Sequence, residues 1–430
     1  MDRFFRLKEN NTNIKTEVLA GITTFMTMAY ILVVNPSILS VAGMDSGAVF
    51  TATALSAVIA TVVMGLYAKL PFALAPGMGL NAFFAFTIVK QMGYSFEFAL
   101  TAVLLEGIIF ILLTLFNVRE AIVDSIPSNI KRAISVGIGL FIAFLGLSNA
   151  GVIIHPEDNG TIVALGNVTS GSALLAIIGI LITGLLLVRN VRGALLIGIV
   201  ITTIIGIPMG ITEAPKAIFS APPSLSPIAF KFQFDHIFTI DMFIALFTLL
   251  FMDMFDTIGT LVGVATKAKM LDENGNVPNI KKALFADAVG TTVGACLGTS
   301  TVSTFVESAS GVAEGGRTGL TALSTAGMFI VALFLSPLFA IVPSAATSPA
   351  LVLVGLFMME PIKEIDLLDF TEAIPAFLTI IMMPLTNSIS DGIVFGIVSY
   401  IFLKATTGRA KEVTIPTYII GMLFILKFFI

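Results

Sequence analysis

The chain has no tryptophan, one cysteine and two histidines, and only 12% of its 430 residues are charged. Each scarcity excludes something. The single thiol, Cys296, rules out an intrachain disulfide and argues against a cysteine-based metal site. His155 and His236 both fall in polar connectors, which argues against a histidine-held metal; no cofactor is expected. Without tryptophan, aromatic anchors at a membrane interface must come mainly from phenylalanine and tyrosine. A soluble domain averages about 25% charged residues, so this chain lies far outside that class. The first fifteen residues are polar and basic and lack the short apolar core of a cleavable signal peptide. Nothing in the composition points to a nucleic-acid partner.

What the chain does have is apolar sequence. Hydrophobic residues make up 57% of it, and the mean hydropathy is +1.02. Runs of about 20 apolar residues recur along its whole length, each long enough to cross a ~30 Å hydrocarbon core. The pattern predicts an all-α polytopic membrane protein with about 14 spans. They fall near 17–36, 48–68, 72–91, 97–116, 132–149, 171–188 and 193–208, then near 240–266, 282–297, 301–315, 320–341, 345–359, 371–386 and 391–405. A short apolar tail, Pro416 to Ile430, reads equally as a half-span or an interfacial helix. The excess of Lys and Arg sets the orientation. With the N-terminus in the cytoplasm, the inner connectors hold Lys69, Arg119, Lys131, Arg132, Arg189, Arg192, Lys267, Lys269, Lys281, Lys282, Arg317, Lys363, Lys404, Arg409 and Lys411, against Lys90, Lys216 and Lys231 outside. A multi-pass plasma-membrane protein in contact with lipid is expected.

The two halves resemble each other. Ile126-Pro127-Ser128 and Ile138-Gly139-Leu140-Phe141 return as Val342-Pro343-Ser344 and Val354-Gly355-Leu356-Phe357, at an offset of 216 residues. Because seven spans is an odd number, a duplicated seven-span unit must insert as an inverted repeat.

Three stretches carry polar chemistry at bilayer depth, where it is tolerated only beside protein or a water-filled cavity. The first is Pro76-Gly77-Met78-Gly79-Leu80-Asn81. Its proline and glycines disfavour a regular helix and predict an extended segment followed by a helix restart. Two readings stand for Asn81: a cavity ligand, or a residue that hydrogen-bonds one helix to another. The second stretch runs from Thr304 to Gly319, preceded by Thr299, Thr301, Val302 and Ser303, a β-branched and hydroxylic run suited to a short strand. Glu307 follows this run, as a site carboxylate facing Asn81 or as an ion-paired structural one. The third is Asp253-Met254-Phe255-Asp256-Thr257-Ile258-Gly259. Its two acids share part of one helical face and cannot both be cheaply ionised at this depth. A carboxylate able to take a proton near neutral pH is the basic part of a proton-coupled carrier, and it also accepts N–H donors from a planar heterocycle. Asp256 is favoured as the site residue, with a hydroxyl on Thr257 and a close-packing Gly259 behind it; for Asp253 the structural reading is equally open. Glu314 and Arg317, three residues apart, read as an ion pair at the inner end, beside a flexible Gly315-Gly316 junction near an inner gate. Glu106 and Asp287 are lone acids in apolar spans, and Asp287 is a candidate tether of the site helices. Sodium coordination by these acids is left open, with protons favoured.

At these residues the chain resembles the nucleobase–cation symporter-2 family, in its adenine/guanine/hypoxanthine permease branch. The resemblance rests on Ala20-Gly21-Ile22-Thr23-Thr24-Phe25 with Met28-Ala29-Tyr30-Ile31, on Ala75 to Phe83, on Asp253 to Thr260, and on Glu307 to Gly319. It implies two inverted seven-span repeats with short strands in spans 3 and 10. A core domain (residues 1–130 and 240–341) would move against a gate domain (131–239 and 342–430), commonly in a homodimer. The resemblance places substrate contacts on Asn81 beside Gly79, on Asp256 with Thr257, and on Glu307 with Ser308. Asp253, Asp287, Glu314 and Arg317 are then candidates for proton coupling or gating. Its motifs Asp256-Thr257-Ile258-Gly259 and Glu307-Ser308-Ala309-Ser310-Gly311 differ from those of the uracil and xanthine branches, which favours a purine. The expected function is proton-coupled import of a purine base, with no enzymatic activity. The alternatives are an inorganic-anion, uracil or xanthine carrier of the same fold, or a membrane receptor that does not transport.

Overall fold

The computed structural model describes residues 2–116, 127–156, 163–215, 217–267, 270, 277–415, 417–418, 421–422 and 425. Arg119, Ile126, Lys216, Lys269, Pro416 and most of the tail after it lie outside the described residues.

Helices form where the apolar runs predict them, because a backbone in lipid must satisfy its polar groups within its own segment. Span 1 is broken into Ile14–Met28 and Ile31–Ser40, and span 2 is Ser46–Val63, continued as a wider π-type turn over Met64–Ala68. Spans 4 to 7 are Phe96–Phe116, Ser128–Asn149, Gly171–Val188 and Ala194–Gly206. Spans 8 and 9 are Ile240–Lys267 and Ile280–Leu297. Span 11 is Gly319–Leu333, and spans 12 to 14 are Ser344–Met358, Phe370–Thr386 and Ile389–Thr406. The expected eleventh span ran on to 341; the helix stops at Leu333, and Ser336–Ala340 is a separate turn begun by Pro337. Seven of the described helices are long and apolar enough to cross a membrane on their own, the first and second counted with their breaks.

Spans 3 and 10 are the exceptions to helix, and they meet. Strand β1 (Leu74–Pro76) opens span 3 and leads into the helices Met78–Ala82 and Phe83–Gln91. A small hairpin, β2 (Ile153–Ile154) with β3 (Ala164–Leu165), decorates the connector after span 5. Strand β4 (Val302–Thr304) opens span 10 and leads into the helix Ser308–Ala313. β1 and β4 pair antiparallel, Ala75 opposite Ser303, extended by Gly77 N–H to Thr301 O at 3.0 Å and Phe305 N–H to Ala73 O at 2.9 Å. Each strand's outer edge would be an orphan in a membrane, and a threonine hydroxyl closes it. Thr61 of span 2 takes the Leu74 N–H at 2.9 Å and donates to its carbonyl at 3.2 Å. Thr291 of span 9 does the same for Val302, at 3.2 and 3.0 Å.

The helices pack in two groups. Span 2 lies against spans 9 and 11, span 1 against 10 and 11, and span 4 against 8 and 9. Separately, span 5 lies against 12 and 13, span 12 against 6 and 7, and span 13 against 14. The connector after span 7 crosses the first group: Thr51 donates to Pro223 O, the Phe230 N–H to Cys296 O, and the Gln233 N–H to the Thr101 hydroxyl. The internal repeat is visible where spans 5 and 12 cross, because its matched glycines face each other. A Cβ on Gly139 would lie 2.5 Å from the Gly355 carbonyl oxygen, and one on Gly355 would meet the Gly139 carbonyl. Gly355→Val is therefore expected to lower stability by at least about 1–3 kcal/mol, the cost of overpacking. Thermal unfolding of the detergent-purified protein checks this, and an unchanged transition would refute the close crossing.

Candidate functional site

A cavity of ≈ 610 Å³ separates the two groups of helices. Gly79 and Leu80 of span 3, Phe251 and Asp256 of span 8, and Val306 and Glu307 of span 10 line one wall. Ile134 and Ile138 of span 5, Val354 of span 12 and Ile393 of span 14 face them, and Lys131, Arg132 and Glu360 stand at one end. The wall is mostly apolar. Its polar atoms concentrate where β4 gives way to helix.

Asp256 is exposed to this space, and Glu307 is half-buried. Each is held by a hydroxyl. Ser303, in the middle of β4, donates to Asp256 Oδ2 at 2.9 Å, and Tyr30, at the break in span 1, donates to Glu307 Oε1 at 2.6 Å. The strand pair therefore does two things: it ends the helix so that Glu307 projects at the start of a new one, and it aims Ser303 at span 8. Gly77 makes this fit, since a Cβ there would sit 2.7 Å from Ser303 Oγ and 3.6 Å from Asp256 Oδ2. Gly79 lets spans 3 and 5 approach across the cavity; its Cβ would stand 3.0 Å from Ile138 Cγ2. Two carboxylates in an apolar slot accept N–H donors from a flat polar molecule and repel an anion.

Other expected site residues lie behind this wall. Asn81 is fully buried and its amide oxygen accepts from Ser300, so it ties span 3 to the approach of β4 and does not face Glu307 across the cavity. Ser308 is buried with its hydroxyl oxygen accepting the Ala73 N–H at 3.0 Å. Thr257 points away from the cavity, donating to Asp287 Oδ1 at 2.8 Å with Asp253 Oδ1 at 3.3 Å. Asp253, Thr257 and Asp287 are all fully buried and together join span 8 to span 9. Gly259 borders the open cavity, with nothing near the place of a Cβ, and is not the close-packing glycine expected.

The Glu314–Arg317 pair does not form. The helix Ser308–Ala313 ends before it, the chain turns at Gly315 (φ 97°), and the three-residue spacing no longer sets the two on one face. Glu314 pairs with Arg192 from the turn between spans 6 and 7, and Arg317 donates to the carbonyls of Val312 (2.6 Å) and Gly316 (2.7 Å). The junction expected to be flexible is pinned by Glu17 of span 1. This buried carboxylate accepts from the N–H groups of Arg317, Thr318 and Thr321 and from both threonine hydroxyls. Sequence reasoning gave no site role to Tyr30, Ser303 or Glu17. Their signal was weak: Tyr30 is a hydroxyl in an apolar run, Ser303 is one hydroxyl among several, and Glu17 stands at the polar start of its span. Glu106, noted only as a lone acid, accepts from Thr301 at 2.5 Å just ahead of β4.

Two half-spans whose strands pair antiparallel, with an acid at the restart of one, a second acid from span 8 beside it and a cavity between two helix groups, have the architecture of a transporter. The chain belongs to the nucleobase–cation symporter-2 proteins: the Permease family matches residues 15–395. It is a permease, not an enzyme. It is 44% identical to the adenine permease AdeP of Escherichia coli strain K12, over 99% of this chain and 95% of that one. It is also 44% identical to the guanine/hypoxanthine permease PbuG of Bacillus subtilis strain 168, over 100% of this chain and 99% of that one. The fold matches the transmembrane domain of the cyanobacterial bicarbonate transporter BicA with a TM-score of 0.67, at 18% identity, covering 89% of this chain and 97% of that one. The chain thus has the inverted-repeat transporter fold of a multi-pass membrane protein, with strands in spans 3 and 10.

Proposed function

We propose that the protein imports purine nucleobases by proton symport, with Asp256 and Glu307 as the base-binding acids. The observation that carries this is their meeting on one cavity wall, Glu307 at the helix restart after β4 and Asp256 on span 8, held by Ser303 of β4. The names of its relatives, an adenine and a guanine/hypoxanthine permease, support a purine as cargo. A purine offers ring N–H donors in one plane, and the apolar walls suit its two faces. Carboxylates that can be protonated supply the coupling, with protons preferred to sodium.

Spans 1–4 and 8–11 form the core that carries the site, and spans 5–7 and 12–14 the gate. The core segments are residues 1–130 and 240–341, and the gate segments 131–239 and 342–430, with the connector around 220–233 riding on the core. Lys131 and Arg132 line the cavity at the end that the distribution of Lys and Arg assigns to the cytoplasm, which supports an inward-facing conformation with the N-terminus inside. Transport then alternates access by moving the core against the gate, within a homodimer.

The test is uptake of labelled hypoxanthine into proteoliposomes, with and without an inward proton gradient, competed by adenine, guanine, uracil and sulfate. Gradient-driven accumulation blocked by purines alone is expected. Equal uptake without the gradient would leave a facilitator and remove the proton role. No purine uptake by folded protein would sink the assignment.

A further inference from the structure

Beyond the two acids, the site holds two hydroxyls that touch no cavity surface. Tyr30 is 1% exposed and Ser303 1%, and neither lines the cavity. Each donates to one oxygen of one site carboxylate, from behind. A carboxylate has two oxygens and can accept on both. With Glu307 Oε1 taken by Tyr30 and Asp256 Oδ2 by Ser303, one oxygen of each is left without a side-chain donor among the described residues. The site therefore offers a ligand one acceptor from span 8 and one from span 10.

Resting on the purine-carrier reading, we propose that Tyr30 and Ser303 are positioning residues that fix this acceptor pair and so set which edge of a base is read. Their own placement is over-determined. Tyr30 sits at the helix break of span 1, one turn after Thr27, whose hydroxyl lies 2.8 Å from that of Ser310 in the turn that follows Glu307. Ser303 is held by strand pairing to Ala75. The absence of a side chain at Gly77 leaves room for its hydroxyl, because a Cβ there would crowd Ser303 Oγ at 2.7 Å. A carboxylate released from its hydroxyl can rotate and present either oxygen, and a two-point contact with a rigid ring then loses its register. Hydrogen bonds to a charged group also carry more energy than neutral ones.

The experiment is equilibrium binding of adenine, guanine and hypoxanthine to detergent-purified protein. Tyr30→Phe keeps the ring and its packing, and should weaken binding about tenfold or more. Ser303→Ala should weaken it by a similar factor, Ser303→Thr should restore it, and Gly77→Ala should mimic the loss. In a Glu307→Asp background the shortened acid no longer meets Tyr30, so Tyr30→Phe should there change the Kd by less than about twofold, the mark of coupled residues. Loss by the same factor in both backgrounds would show that Tyr30 acts through packing. Unchanged affinity in Tyr30→Phe and Ser303→Ala, or Ser303→Thr no better than the alanine, overturns the proposal while leaving the carrier intact. A folded wild type that binds no purine overturns the function itself, and this inference with it.

Discussion

Glu307→Gln is expected to weaken purine binding by about a hundredfold and to abolish the gradient dependence of uptake. The substitution keeps volume and shape. It removes the charge that accepts the Tyr30 hydroxyl at 2.6 Å, and it sets an NH₂ group where an acceptor stood. A ligand N–H then meets a donor, which costs more than a lost hydrogen bond because a buried group is left unsatisfied. The amide also takes up no proton, so a carrier that uses this carboxylate for coupling loses accumulation even where some exchange survives. Asp256→Asn should behave likewise, through the loss of the acid held by Ser303. Thr257→Val supplies the contrast: its hydroxyl faces Asp253 and Asp287, so it should lower thermal stability and change affinity by less than about threefold. Binding isotherms and proteoliposome uptake on the same preparations check all three. Full gradient-driven uptake by Glu307→Gln would remove Glu307 from both of its roles.

That contrast also marks how far the sequence can be read. The spans were legible because a bilayer imposes a length on apolar runs, and Pro76 and Gly77 announced the break in span 3. The strand in span 10 was legible from its threonines and valines, although β4 itself covers only Val302–Thr304. Asp256 and Glu307 stood out because an acid at bilayer depth needs a reason to be there, and both line the cavity. What could not be read was direction. Thr257 follows Asp256 in every motif sense, yet its hydroxyl turns to Asp287, which is thirty positions further on and belongs to another helix. Asn81 has the composition of a ligand and the position of a strut, a choice decided by Ser300 on the far half of the chain. The Glu314–Arg317 spacing promised an ion pair only if the helix continued, and it ends at Ala313. Local spacing fixes which residues share a helical face, whereas the partner of a short polar side chain is set by whatever packs against that face.

The second large effect falls on a residue outside the cavity. Glu17→Ala is expected to destabilise the protein by several kcal/mol, on the order of 3–6, from the unsatisfied donors it leaves. Glu17 is fully buried in the first turn of span 1, and its two oxygens accept from three backbone N–H groups and two hydroxyls at the start of span 11. It serves as an N-cap delivered from a different helix. Thr318 caps span 11 locally by accepting the Leu320 N–H, but one hydroxyl cannot serve the remaining orphan donors of a helix start. A carboxylate can, and its charge lies against the positive end of the helix. Alanine leaves the Arg317 and Thr318 N–H groups without an acceptor, and the Thr321 N–H with the Thr318 carbonyl alone at 3.1 Å, in a place too enclosed for easy repair by water. Glu17→Gln keeps one good acceptor oxygen and should fall between alanine and wild type, whereas a role confined to charge would make the two variants equal. The readout is the fraction of monodisperse protein left after heating in detergent, alongside purine affinity of the surviving fraction. Affinity should stay within about fivefold of wild type, because Glu17 holds the start of span 11 and touches neither acid of the site. A wild-type melting profile for Glu17→Ala would mean that the turn holds itself, and that Gly315 and Gly316 are the hinge their sequence suggests.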